Sequence, residues 1–260
     1  MKLKLRPGVE GVHNECDLAT FLTIPALCAV HIMSGADVVQ RRRWSPALLS
    51  MAAGISVSYV FLDLLPDLVE RQHDLDQAGF VPMLDRHVYI FSLLGLAIAF
   101  WVEVASRQSR RKQRHAGKAD QTSNAVFKLS IASSAVENVA IGYAVGSPGD
   151  SAVEPLWLFA LALGLHFLVD DHALSKHHGA PYRRYGRWWL VAGLVAGWSM
   201  GAAFGLRIPE VVLALALAYI SGGTILNTLR HELPGTDHSP AVFAFVLGAA
   251  GYTAILLAEG

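Results

Sequence analysis

Two apolar segments of the chain, 126–146 and 155–176, have ionisable side chains near their centres. The first has Glu137 beside Asn138, and the second has His166 at its middle. Inside a bilayer such groups are costly unless they pair, bind a cation or face water, and they mark pathways and functional sites. The sequence therefore predicts a functional site where these two segments meet.

The polar side chains of both segments are spaced so that they project from one helix face. His166 and Asp170 are four residues apart, and so are Ser134 and Asn138; residues at this spacing lie on the same side of a helix. Imidazole nitrogen with carboxylate oxygen is a borderline ligand set that suits Zn, Fe, Mn, Co or Ni. A site that must release its ion also holds it less tightly than a structural site does. We expect a divalent metal ion, zinc first among these, to bind as transported substrate to Glu137, His166, Asp170, Asn138, Asp171 and Ser134.

Further polar groups extend this predicted site toward both membrane faces. Asp63 and Asp67 lie one helical turn apart near the end of an apolar segment, and His172 directly follows the central acids. Glu232 follows the seventh apolar segment. Because ionisable groups within spans tend to line ion routes, we predict a pathway that contains Asp63, Asp67, His172 and Glu232.

The composition is that of an integral membrane protein. Of the 260 residues, 53% are hydrophobic and 16% are charged, whereas soluble domains have about 25% charged residues. A spanning helix needs about 20 mostly apolar residues, and such runs occupy most of the chain. We predict an all-α, polytopic integral membrane protein with one transmembrane domain over 1–260 and eight spans, at 18–39, 47–67, 87–106, 126–146, 155–176, 188–206, 209–230 and 240–258.

The distribution of Lys and Arg predicts the orientation of these spans. If the N-terminus is outside, most of the 21 Lys and Arg residues fall on the inner side, many of them in a basic cytoplasmic loop at 107–125. By the positive-inside rule this predicts N-out and C-out. The polar residues 1–17 lack the apolar core of a signal peptide. We expect a multi-pass protein of the cell membrane, the cytoplasmic membrane in a bacterium. The zero net charge argues against a nucleic-acid partner.

Four stretches of the sequence have motif-like patterns of polar residues, glycine and proline. Segment 4 reads SSAVENVAIG, segment 5 reads HFLVDD, segment 2 contains FLDLLPD and segment 7 contains SGGTILNTLRHELP. These stretches resemble the ZIP family of divalent-metal transporters. The corresponding family motifs are of the His-Asn-x-Pro-Glu-Gly, His/Gln-Glu/Asp-x-Pro-Glu-Gly, Leu-x-x-Leu-Leu-Pro-Glu and Ala-Gly-Thr…Glu…Pro types. The resemblance implies eight transmembrane helices with both termini outside, a homodimer, and metal ligands at Glu137, His166 and Asp170.

The chain departs from the family at positions that matter for metal binding. Ser133 and Ser134 replace the expected His and Asn, and Val136 and Val169 replace the helix prolines. We predict a ZIP-like transporter of divalent cations of the zinc, iron and manganese class, and not an enzyme. Two alternatives stay open. One is an intramembrane metal-dependent hydrolase, which would activate water at a metal, and the other is a non-transporting ZIP-like scaffold with a degenerate metal site.

A short internal echo relates segments 2 and 7. Gly54 precedes Asp63 by nine residues, Gly223 precedes Glu232 by nine, and a proline follows each acid. The two segments run in opposite directions in the predicted topology. This is the pattern of inverted repeats in secondary transporters.

Overall fold

The computed structural model describes residues 9–34, 46–77, 86–147, 156–204, 209–232 and 239–259. Within these ranges the chain has no strand and forms eight helices, and each overlaps one of the predicted segments; the first begins nine residues earlier than predicted, and the second and third end about ten residues later. Three of the helices contain a π-helical turn. The helices are α1 (Val9–Ser34); α2 (Pro46–Tyr59, π turn Val60–Leu64, Leu65–Gln77); α3 (His87–His115); α4 (Asn124–Gly146); α5 (Leu156–His178); α6 (π turn Tyr182–Gly186, Arg187–Phe204); α7 (Glu210–Asn227, π turn Thr228–Glu232); and α8 (Ser239–Glu259).

Four helices in the described ranges are long and apolar enough to cross a membrane. They are Ser50–Asp76 of α2, His87–His115, Asn124–Gly146 and Val211–Arg230 of α7, and shorter apolar helices lie at Leu22–Ser34 and Val242–Ala258. Many large apolar side chains face outward, among them Trp101, Phe243 and Leu257, as is expected of a surface that contacts lipid rather than water. The prediction of an all-helical chain is confirmed, and its helices are compatible with a membrane protein.

Three pairs of helices bring their backbones together at glycines. Between α3 and α7, a Cβ added to Gly222 would lie 1.8 Å from the Ser92 carbonyl oxygen, and one added to Gly95 would lie 1.7 Å from that of Tyr219. Helices in membranes associate through such small residues, because lipid leaves little hydrophobic drive between them. The pairs α4–α6 and α2–α8 approach in the same way, through Gly142 with Gly197 and Gly54 with Gly248.

The helix packing follows the symmetry that the internal echo predicts. The symmetry relates α1 to α6, α2 to α7, α3 to α8 and α4 to α5. The α2–α8 contact then corresponds to α7–α3, and the α1–α5 contact corresponds to α6–α4. All four contacts are present. Two of the π turns also fall on the echo, since Val60–Leu64 contains Asp63 and Thr228–Glu232 ends at Glu232. These four contacts are the ones expected of two related halves of three helices.

The basic loop predicted at 107–125 is shorter than expected, because α3 continues to His115. Arg and Lys are good helix formers, so the helix continues past the end of its apolar run. The remaining connection is tied to the end of α5. Thr122 N donates to His177 O at 3.1 Å, and Ser123 N donates to the Ser109 hydroxyl at 2.8 Å.

Asp120→Asn is expected to loosen this short connection. Arg110 donates hydrogen bonds of 3.1 and 2.7 Å to the Asp120 carboxylate. These hydrogen bonds are the main cause that holds the pKa of Asp120 below its ordinary value, and nearby positive charges lower it further. The ion pair therefore contributes at neutral pH and is lost as pH falls below about 4. We expect faster tryptic cleavage at Lys118 in the variant at neutral pH. Equal cleavage in Asp120→Asn and in the exposed-site control Asp74→Asn would contradict this.

Candidate functional site

Two carboxylates of α4 and α5 face a polar stripe on α7. The Thr224 hydroxyl donates to Glu137 Oε1 at 2.9 Å, and Asn227 Nδ2 lies 3.5 Å from Asp170 Oδ1. The two α7 residues are three positions apart and therefore project from one face of their helix. Glu137 and Asp170 are both half-buried. Helices α4, α5 and α7 thus share a layer of carboxylate, hydroxyl and amide groups.

The imidazole of His166 belongs to the same layer. The ring is buried, with 3% of its residue surface exposed, and its Nδ1 lies 3.5 Å from the Thr228 hydroxyl. Glu137, Asp170 and His166 therefore all lie within 2.9 to 3.5 Å of polar side chains on α7. We call this set the α7-side cluster; it consists of Glu137, His166, Asp170, Thr224, Asn227 and Thr228.

Asn138 and Asp171 face the opposite way, toward α1. His31 Nδ1 lies 3.0 and 2.9 Å from the two carboxylate oxygens of Asp171, and His31 Nε2 lies 2.8 Å from Asn138 Oδ1. All three residues are almost completely inaccessible to solvent. The His31 ring also packs against Phe167, with 4.4 Å between ring centroids. We call His31, Asn138 and Asp171 the α1-side cluster.

The predicted ligand set is thus divided between two clusters. Glu137, His166 and Asp170 each face the polar stripe of α7, whereas Asn138 and Asp171 are engaged by His31. Ser134 takes part through its backbone carbonyl, which accepts a hydrogen bond of 2.9 Å from Asn138 Nδ2. Throughout the described part of the chain, no three His, Cys, Asp or Glu side chains converge closely enough to hold a metal ion.

The predicted pathway residues occupy separate environments. Asp63 is buried in the π turn of α2 and accepts a hydrogen bond of 2.6 Å from the Tyr252 hydroxyl. Asp67 forms an ion pair of 2.6 Å with Arg71, one turn along the same helix, and His172 is exposed. The side chain of Glu232 lies outside the described residues. The structure therefore does not place Asp63, Asp67 or His172 in the α7-side cluster.

Four residues of the two clusters were not among the predicted site residues: His31, Thr224, Asn227 and Thr228. The α7 residues have a signal in the sequence, because polar side chains at i, i+3 and i+4 of an apolar segment form one stripe. His31 has a weaker signal. A histidine within an apolar span is suggestive, but its partners lie 107 and 140 residues away along the chain.

Comparison with known proteins adds no relative to this picture. No protein-family model matches the chain, and no curated protein matches it.

Proposed function

We propose that this chain is a ZIP-like transporter with eight spans, N-out and C-out, which moves divalent metal cations of the zinc, iron and manganese class across the membrane. The observation that supports this most is the α7-side cluster. Two carboxylates and an imidazole from α4 and α5 face the hydroxyl and amide groups of α7, at distances of 2.9 to 3.5 Å. Carboxylates are expensive in such a place unless a cation or water offsets their charge.

The chemistry of the cluster suits a divalent cation of borderline softness. Carboxylate, imidazole, hydroxyl and amide groups all offer oxygen or nitrogen lone pairs, and they include no thiolate that would select softer metals. The cation enters as substrate and draws Glu137, His166 and Asp170 closer together than they are in this structure. A site whose ligands must move to close around the ion also releases it again, as transport requires.

Glu137→Gln and Asp170→Asn test this proposal in sealed proteoliposomes. Each variant keeps the size of the side chain and removes one charged ligand. Loss of a hydrogen-bonded or ligating charge costs about 1.5–3 kcal/mol, which corresponds to about tenfold to hundredfold weaker binding. We expect uptake of Zn²⁺ at micromolar concentration to fall by at least about tenfold in each variant, measured with an internal fluorescent zinc indicator.

Glu70→Gln is the matched control, because Glu70 is an exposed carboxylate on α2 outside both clusters. It is expected to transport like the wild type. Normal uptake by both cluster variants would overturn the proposal. Absence of wild-type uptake for Zn²⁺, Fe²⁺ and Mn²⁺, together with no binding in isothermal titration, would instead support a non-transporting scaffold. Turnover of a lipid or amide by the metal-loaded protein would support the hydrolase.

A further inference from the structure

We propose that His31 is a positioning residue: its ring holds Asn138 and Asp171 against α1 and thereby turns Glu137 and Asp170 toward α7. The inference rests on the proposed function in one respect, namely that the α7-side cluster receives the cation. The geometry of the α1-side cluster stands independently of that function.

The hydrogen bonds of the α1-side cluster fix the direction of donation. Asn138 Nδ2 donates to the Ser134 carbonyl at 2.9 Å, so Asn138 Oδ1 is the atom that faces His31 Nε2. The other ring nitrogen, Nδ1, is almost equidistant from the two Asp171 oxygens, as expected for an N–H group that faces a carboxylate. Both neighbours accept, so both ring nitrogens donate. His31 is therefore the counter-cation of Asp171.

Adjacent polar residues on α4 and α5 make this arrangement sensitive to helix rotation. Consecutive residues of an α-helix are about 100° apart around the axis. On α4, Asn138 faces α1 while Glu137 meets Thr224, and on α5, Asp171 faces α1 while Asp170 lies near Asn227. One ring contacts one member of each pair, and this contact sets the direction of the other member.

Without His31, either member of each adjacent pair could face α7. Asp170 and Asp171 are both carboxylates, so a rotation of α5 by one residue exchanges one acid for the other. The same rotation of α4 exchanges Glu137 for Asn138. A buried partner that accepts only one register provides specificity, as polar residues do at helix interfaces. Apolar packing around Leu27, Ile141 and Phe167 joins the same helices but does not distinguish between the two acids.

The test uses His31→Gln, the double variant His31→Gln/Asp171→Asn, and Ser34→Ala as control. In the double variant the carboxylate that has lost its counter-cation is replaced by an amide, so the protein folds even if His31→Gln alone does not. Ser34 lies one turn along α1, and its hydroxyl donates to the Val30 carbonyl of its own helix at 2.8 Å. All proteins are reconstituted at full length in lipid.

The first readout is labelling by dicyclohexylcarbodiimide, mapped by mass spectrometry, which requires no transport. In the wild type and Ser34→Ala we expect labelling of Glu137 and Asp170 but not of Asp171. In the double variant the labelling of Glu137 and Asp170 is expected to fall by about tenfold as their helices lose the fixed register. Wild-type labelling of these two residues in the folded double variant would overturn the inference.

The second readout is Zn²⁺ uptake by the same proteins. In the double variant we expect KM to rise by about tenfold or more with a smaller change in kcat, because the ligands are misplaced while the route persists. Unchanged KM and kcat would also overturn the inference. If the wild type transports no cation, the proposed function fails while the labelling pattern still decides the role of His31.

Discussion

Gly222→Ala is expected to destabilise the folded protein strongly, as is the reciprocal Gly95→Ala on the facing helix. The new Cβ would lie 1.8 Å from the Ser92 carbonyl oxygen and 2.7 Å from its carbon. These are backbone atoms of the facing helix, so no side chain can move aside, and α3 and α7 must separate. Overpacked cores lose up to about 3 kcal/mol, and occasionally more. We expect a loss at or above this upper value, together with separation of Thr224 from Glu137.

The measurement is thermal unfolding of the purified protein in detergent, monitored by tryptophan fluorescence or by a thiol-reactive fluorescent dye. Gly251→Ala is the matched control, because a Cβ on this α8 glycine meets no atom within 4 Å. Alanine also favours the helix by about 1 kcal/mol over glycine, so the control is expected to be as stable as the wild type or slightly more stable. Equal unfolding temperatures for the two variants would show that the α3–α7 contact is looser than described.

Asp171→Asn is expected to destabilise the protein far more than the loss of an exposed ion pair. Asp171 is fully buried, and its substitution leaves the positive charge of the His31 ring without a counter-ion. Removing one partner of a buried pair typically costs about 3–5 kcal/mol, because the other charge stays buried and uncompensated. Thermal or denaturant unfolding in detergent measures this loss.

Asp67→Asn provides the comparison for this measurement. Asp67 pairs with Arg71 at 2.6 Å, but its side chain is 37% exposed, and such surface pairs contribute about 0–1 kcal/mol. Both substitutions replace a paired carboxylate by an amide. The difference between their unfolding free energies therefore reports the effect of burying the pair. A loss for Asp171→Asn as small as that for Asp67→Asn would show that the His31–Asp171 contact is neutral rather than ionic.

The helices could be predicted because their signal is local. Each apolar run is long enough for a helix, so the segments around Glu137 and His166 are found without knowing what surrounds them. The close spacing of His166 and Asp170 likewise predicts one polar face. The same local reading underestimates α3, since its charged end at 107–115 is as helical as its apolar part.

The division of the site into two clusters could not be predicted in this way. Whether Asp170 or Asp171 faces α7 depends on the rotation of α5 about its own axis. In the structure Asp171 contacts His31, which is 140 residues away in the sequence, and this long-range contact leaves no trace in the local pattern. Composition and spacing within α5 allow both choices.

The π turn of α2 lets one helix serve two different partners. Before the turn, Gly54 packs against α8, and after it, Leu68 and Leu75 join a core with α3 and α7. A π turn contains one residue more than an α-helical turn, which displaces everything beyond it by about 100° around the axis. Deleting a single residue from 60–64 would convert the π turn into an ordinary α-helical turn. The C-terminal part of α2 would then be rotated about the helix axis and would face other neighbours. At this place the number of residues, more than their chemistry, decides which neighbours the helix can reach.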